Sequence, residues 1–373
     1  MKIKLLALSF VSFAAIAIGN SAAEEPAASA PLEEPRALSP DHYGASFRLG
    51  FNINASFKNS GAYNGQGHLV PVPGQGLQYQ NGNPNGDANG NRTYEDGYIW
   101  RDSSGNTLGY SRYWGYDSAS QYNPANGTIA MHSSSSPGVD SSGRNGDPAL
   151  GFEISYQRDF DTKPDRRWGI EATFNYMNVG IHDDAPLTGR GTFLTDSYQL
   201  PTTEGGGFVI APPAPYAHGP DLSASGNPVI TSTPASRTMD PVVTRITGSR
   251  NLDANVFGWH VGPYFVVPLG SKAALEVSGG LAVAVVLSDF NFSETIMTPT
   301  VQASVAHGNS QSQVGAGGFV SGNFTLALSE RWKILAGCQF QNVGRYDNEV
   351  AGRQARLDLS KSVFVCAGAI FSF

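Results

Sequence analysis

The sequence predicts an all-β chain: a closed antiparallel β-barrel of eight strands that crosses a membrane, with short turns on one side and long loops on the other. Three observations predict it. Eight segments alternate apolar and polar residues with a period of two. The connections between them alternate short and long. After the first residues, no stretch approaches the roughly 20 apolar residues of a membrane-spanning helix; the best candidate, Ala273–Leu287, is interrupted by Glu276 and Ser278.

The chain opens Met1-Lys2-Ile3-Lys4, runs apolar from Leu5 to Ile18 and leaves through Ser21-Ala22-Ala23. Two lysines, a short apolar core and a small-residue exit read as a secretory signal peptide over 1–23. Residues 24–42 are acidic and rich in Pro and Ala, which buries little apolar surface and predicts a disordered arm. The barrel is expected over 43–373.

Its first strand runs from Ser46 to Lys58 without a break: Phe47, Leu49, Phe51, Ile53, Ala55 and Phe57 on the lipid face, Arg48 and small polar residues on the other. Leu150 to Tyr156 and Trp168 to Tyr176 repeat the pattern around a turn at Asp159–Arg167. Phe257 to Val267 and Leu275 to Leu287 flank the turn Pro268–Lys272, with Pro263 calling for a bulge in the fourth strand. Val314 to Leu328 and Trp332 to Phe340 flank Ser329–Arg331, and Val363 to Phe373 closes the chain. Long external loops fall near 59–148, 180–255, 288–313 and 341–358. The outward positions are uncharged up to the expected membrane boundary. Aromatics gather near strand ends (Phe57, Tyr156, Trp168, Trp332, Phe371), as in interfacial girdles.

Composition supports the class. Gly is high at 44 of 373 and charged residues are low at 15%. The formal charge is −7, and removing the two signal-peptide lysines makes the chain still more acidic, so nucleic acid is not an expected partner.

The inward faces carry Arg48, Glu153, Glu171, His260, Glu276 and Lys333. An eight-stranded interior is just wide enough for side chains to fill. Counting from the Asp159–Arg167 turn sets Glu153 opposite Glu171, two carboxylates that repel unless a cation intervenes, with Arg48 as the neighbour to do it. This cluster reads as a structural ionic plug or as the lining of a narrow ion path. The first long loop holds Tyr98, Trp100, Tyr110, Tyr113 and Trp114, with a turn at Asp102–Asn106. These rings either offer an exposed contact platform or pack the loop into a rigid cap. Asn81–Asn91 lacks the ordered carboxylates of a calcium loop, and no metal or cofactor is expected. No Gly-x-Ser-x-Gly elbow is present, and no enzymatic activity is expected. Cys338 and Cys366 fall at similar depth on the last two strands but in opposite phase, which predicts two free thiols rather than a disulfide.

The chain ends Cys366-Ala367-Gly368-Ala369-Ile370-Phe371-Ser372-Phe373. Gly368, Phe371 and Phe373 resemble the C-terminal assembly signal of Gram-negative outer-membrane barrels, although Cys366 stands where a polar residue is usual. With the eight strands, the chain resembles the small eight-stranded barrels typified by the transmembrane domain of outer-membrane protein A. The likeness covers the strands and not the loops. It implies residence in the outer membrane after export, contact with outer-membrane lipid and recognition by the outer-membrane assembly machinery. The expected function is a non-enzymatic surface barrel whose external loops shield the cell or contact an extracellular ligand; the alternative is a narrow porin-like channel for ions or small solutes.

Overall fold

The alternating segments pair edge to edge until the sheet meets itself. The computed structural model describes residues 40–372 apart from 73, 102–108, 145–147, 164–165, 220–227 and 299–301. The signal peptide, most of the arm, the Asp102–Asn106 turn and Phe373 lie outside the described residues. Fourteen strands carry the argument: β1 Asp41–Phe51, β2 Asn54–Ser60, β3 Thr128–Ser135, β4 Val139–Arg144, β5 Ala149–Lys163, β6 Arg166–Asp183, β7 Leu187–Gln199, β8 Ser236–Pro268, β9 Ala273–Met297, β10 Gln302–Ala327, β11 Trp332–Asn342, β12 Arg345–Val350, β13 Arg353–Asp358 and β14 Ser362–Ser372. Eight of them, in the order β1-β5-β6-β8-β9-β10-β11-β14, form an antiparallel ring that closes through β1 and β14. Because β1 begins at Asp41, the end of the expected arm already belongs to the ring.

The long strands β6, β8 and β9 change character along their length. On β6 the outward residues are apolar from Trp168 to Tyr176 and then become Asn178, Gly180 and His182, while the inward residues begin as Glu171, Thr173 and Asn175 and then become Met177, Val179 and Ile181. On β9 the outward run from Leu275 to Leu287 gives way to Asp289, Asn291 and Ser293, and the inward Glu276 and Ser278 give way to Ala282, Ala284, Val286, Phe290 and Phe292. The ring is thus apolar outside and polar inside at one end, and polar outside and apolar inside at the other. The outward apolar run on β8, Phe257 to Val267, matches the 9–11 residues a tilted strand needs to cross a bilayer core.

Aromatic rings border this belt. Trp332 packs on Phe371 at 5.0 Å between centroids, Tyr43 on Tyr156 at 5.3 Å and Phe160 on Trp168 at 5.3 Å near the end where the chain enters. Phe152, Tyr176 and Phe257 form a row at the other border, at 5.7 and 5.2 Å. The Tyr176 hydroxyl donates to Asn255 Oδ1 at 2.7 Å, just beyond the apolar run.

The inversion accounts for several departures from the sequence reading. The first strand is not continuous to Lys58. Asn52 adopts a left-handed conformation (φ 58°), which an Asn tolerates better than most residues, and its side chain donates to the Lys361 carbonyl at 2.8 Å. Beyond this break the buried phase changes from even to odd positions. Ile53, Ala55 and Phe57, expected to face lipid, are 3%, 2% and 1% exposed, the last two in a second sheet ordered β4-β2-β13-β12. The expected loops 180–255 and 288–313 are largely strand: β6 and β8 stay paired up to Asp183 and Arg250, and β9 and β10 up to Met297 and Gln302. On β6, β8 and β9 the alternation there has the same period, but with the apolar residues turned inward.

Two local expectations also change. The Asp159–Arg167 turn is mostly strand, with β5 reaching Lys163, β6 starting at Arg166 and a bulge between Asp159 and Asp161. Pro263 makes no bulge. The β8–β9 register is the same on either side of it, and the pairing lapses only from Gly262 to Pro263. Gly262 and Gly280 face each other there so closely that a Cβ on Gly262 would stand 2.2 Å from the Gly279 carbonyl oxygen.

The interior above the belt is filled by one apolar cluster that includes Phe57, Val179, Leu252, Val286, Phe290, Phe292, Leu357 and Phe364. Buried charges close it at the top. Arg250 donates to Asp183 at 3.0 Å, Glu294 lies 3.7 Å from Arg250 and 3.4 Å from Arg353, and Gly61 N donates to Glu294 at 2.8 Å.

Candidate functional site

All six residues of the expected lumen cluster point inward. Arg48 is 3% exposed. Its Nη1 donates to Glu153 Oε2 at 2.9 Å, its Nη2 to Gln339 Oε1 at 3.0 Å, and its guanidinium carbon lies 4.1 Å from the centre of the Phe364 ring. Arg48 therefore sits where the polar layer meets the apolar cluster. Glu153 does not face Glu171. The bulge and the tight turn shift the register, so that Glu153 pairs across from Asn175 and Gln157 from Glu171. Glu171 instead shares a donor with Glu276: the Gln157 side-chain amide lies 2.8 Å from one carboxylate and 2.6 Å from the other. His260 is held by Gln339 at 3.0 Å and Gln341 at 3.1 Å and stacks on Phe319 at 4.7 Å. Lys333 is set apart near the turn end, lining a shallow hollow with Arg167, Thr325 and Ala327.

A lower layer escaped the sequence reading. His42 contacts Ser372 Oγ at 2.7 Å and Asp159 Oδ2 at 2.9 Å, and Asp159 also accepts from Tyr264 and lies 3.3 Å from Arg167. Period-two phase would have found it. His42 is in step with Arg48, and Asp159 with Glu153. What remains open among these side chains is about 20 Å³, bordered by Glu153, Gln157, Glu171, His260 and Glu276, room for about one water molecule.

Beyond the ring, the segments around β3 and β7 build a cap with its own core. Tyr94, Ile99, Trp114, Ile129, Met131 and Tyr198 are all within 1% of full burial. This corrects the contact-platform reading of the loop aromatics. Tyr98 and Trp114 are fully buried and Tyr113 is 3% exposed; only Tyr110, at 38%, presents much of its ring. Tyr113 lies between Tyr98 at 5.9 Å and Trp100 at 5.1 Å, and Trp114 Nε1 donates to the Pro228 carbonyl at 2.9 Å. The alternative sequence reading, rings packed as a cap, describes them.

The central polar groups of the cap are paired. Tyr94 donates to Asp196 at 2.5 Å and contacts the Tyr198 hydroxyl at 2.6 Å, and Arg237 grips Asp196 through Nε at 2.7 Å and Nη2 at 2.6 Å. Burial pushes the Tyr198 phenol up to about 12, and burial beside Tyr198 and Asp196 holds Tyr94 far above the ordinary phenol range. His132 contacts Asp96 at 2.6 Å and stacks on Phe193 at 5.2 Å.

Of the terminal motif, Gly368 and Phe371 are described. Gly368 lies where a Cβ would meet the Ala45 carbonyl oxygen at 2.1 Å, and Phe371 faces outward against Trp332. Cys338 is exposed on the outer face, Cys366 is buried on the inner one, and both are free thiols.

No family profile and no curated protein matches this chain. Among solved structures it is similar to the attachment invasion locus protein Ail of Yersinia pestis, at 8% identity over 88% of this chain and 98% of that one, with a TM-score of 0.24. It is also similar to the outer-membrane protease OmpT from Escherichia coli, at 11% identity over 90% and 98% with a TM-score of 0.30, and to a FadL homologue of Pseudomonas aeruginosa, at 8% identity over 89% and 90% with a TM-score of 0.17.

Proposed function

We propose that this chain is a closed, plugged eight-stranded β-barrel of the Gram-negative outer membrane, non-enzymatic, that raises a rigid cap above the cell surface for shielding or partner contact. The membrane assignment follows from the uncharged apolar belt and its aromatic borders. The ring turns joining β5 to β6, β8 to β9 and β10 to β11 face the periplasm, and the polar-coated extension faces outward. The single observation that carries the surface role over transport is the filled interior. The ionic layer leaves about 20 Å³, and above it the buried Phe290 packs on Phe57 at 5.9 Å and on Phe292 at 5.7 Å. A solute would have to unmake both layers to pass.

Single-channel recording in planar bilayers tests this. Insertion without resolvable conductance is expected. Steady ion conductance that changes with Glu171→Gln or Glu276→Gln would establish the narrow channel instead.

A further inference from the structure

A cleft of about 410 Å³ opens on one side of the cap, within the range of small-ligand sites. It is lined by Asn64, the turn Gly82–Asn85, Ser133, Ser135, Thr192, Leu194 and Met239. Its floor is the face of a sheet. Ser133 pairs with Leu194 and Leu194 with Met239 across β3, β7 and β8, and Ser135 pairs with Thr192 in the next row. Side chains directly opposite on paired strands project to the same face, so the hydroxyl row of Ser135 and Thr192 lies beside a row that joins Ser133 to the apolar Leu194 and Met239. The wall is fixed from behind. Arg237, already neutralised by Asp196, donates to Asn85 Oδ1 at 2.9 Å and to the Pro84 carbonyl at 2.8 Å.

The polar side chains of this cleft differ from those elsewhere in the cap. Tyr94, Asp96, Asp196 and Arg237 are all satisfied by protein partners, whereas Asn64, Asn83, Ser133, Ser135 and Thr192 have no side-chain hydrogen bond among the described residues. Among the described residues no charged side chain lines the cleft. An anion would find no cation here and a cation no carboxylate. An apolar ligand would strip water from five polar groups and give nothing back. A peptide strand pairs with a sheet edge, and the outer edge of β3 is already met by Tyr122 at Ile129, by Glu95 N at the His132 carbonyl and by Tyr63 at Ser136. Hydroxyls and amides that both donate and accept, beside the half-exposed Met239 and the buried Leu194, match the mixed hydroxyl and C–H surface of a sugar ring.

We infer that this cleft binds a neutral oligosaccharide. The inference gives a ligand class to the proposed cap and rests on that reading only for where the sugar would be met. The test uses the full-length protein purified in detergent micelles, applied to an array of neutral, sialylated and sulfated oligosaccharides, with titration of the best neutral binder. Binding to neutral glycans is expected, reduced at least tenfold in Ser135→Trp and Thr192→Trp and unchanged in Leu77→Trp, a substitution on an exposed hairpin elsewhere on the cap. Unshifted heat-modified gel mobility verifies folding, and Asn64→Ala with Asn83→Ala replaces the bulky variants if they fail to fold. Absence of neutral-glycan binding, binding confined to anionic glycans or to peptides, or equal binding by all variants would each overturn it. A cap on the wrong side of the membrane would appear as failed surface biotinylation and would leave the array result untouched.

Discussion

Arg48 donates to Glu153 across 2.9 Å at the level where the polar lumen ends, with Phe364 stacked over the guanidinium. Both side chains are largely buried, at 3% and 16% exposure. Removing one partner strands a charge, whereas removing both relieves the desolvation of each. Arg48→Ala is expected to cost about 3–5 kcal/mol, and Arg48→Leu with Glu153→Leu markedly less. Urea unfolding in detergent micelles, followed by gel mobility, measures both, and equal losses would contradict an ion pair at this site.

The outer belt makes a depth-dependent prediction. Phe47 is 79% exposed midway along the outward run from Tyr43 to Phe51. A lysine at the bilayer midplane of a barrel costs about 2–4 kcal/mol, and near the interface about 0–1 kcal/mol. Phe47→Lys should therefore destabilise the protein in lipid vesicles, while Asn178→Lys, beyond the belt on β6, should be close to neutral. Similar effects of the two would place the membrane boundary elsewhere.

The two thiols report which way β11 and β14 face. Cys338 lies exposed among the outward residues of β11, and Cys366 is buried in the same apolar cluster as Phe364. In bilayers a lipid-soluble maleimide should label Cys338 alone, and a membrane-impermeant one should label neither. Labelling of Cys366 in the folded protein would show the register of β14 to be wrong by one residue.

A pH-sensitive anchor is expected in the cap. His68 Nε2 contacts Asp117 at 2.9 Å at the base of the hairpin His68–Val72 and Gly76–Gln80. Burial pulls the imidazole down, but the hydrogen bond and charge of Asp117 outweigh it and the net shift is upward. A raised histidine stabilises the fold fully below its unfolded value of about 6.5 and loses that contribution as pH rises through the folded value. Hydrogen exchange over residues 68–80, corrected for intrinsic rates, should quicken as pH rises above about 6.5. His68→Gln should remove that dependence and leave exchange in β9 unchanged.

The ring was legible in the sequence because period two needs no partner to be seen. Phe47, Phe152, Trp168, Trp259, Leu281, Val320, Ile334 and Val365 all face outward as their phase requires. The upper half was missed because the same period was read with a single polarity rule. Val179, Leu252 and Phe290 alternate just as strictly, yet their polar neighbours meet solvent and they do not. The lumen residues were recoverable by phase, but the partners of Glu171 were not. Whether it met Glu153 or Gln157 depended on one bulge and one tight turn, neither of which has a composition signature in Asp159–Arg167. The cleft beneath Asn83 was invisible for a deeper reason. Ser133, Thr192 and Met239 become neighbours only through cross-strand pairing of segments far apart in the chain.

The inversion of polarity along β6, β8 and β9 has a consequence for how the pairing finds its alignment. In a barrel of uniform polarity, a strand that slips by one residue commits one kind of error, since its apolar set faces the wrong way. Here the same slip commits two opposite errors at once. On β9 it would turn Leu281 and Val283 away from lipid at one end while driving Phe290 and Phe292 into water at the other. The two ends of each strand act as independent proofreaders of a single alignment, and a mutation that blinds one of them still leaves the other in place.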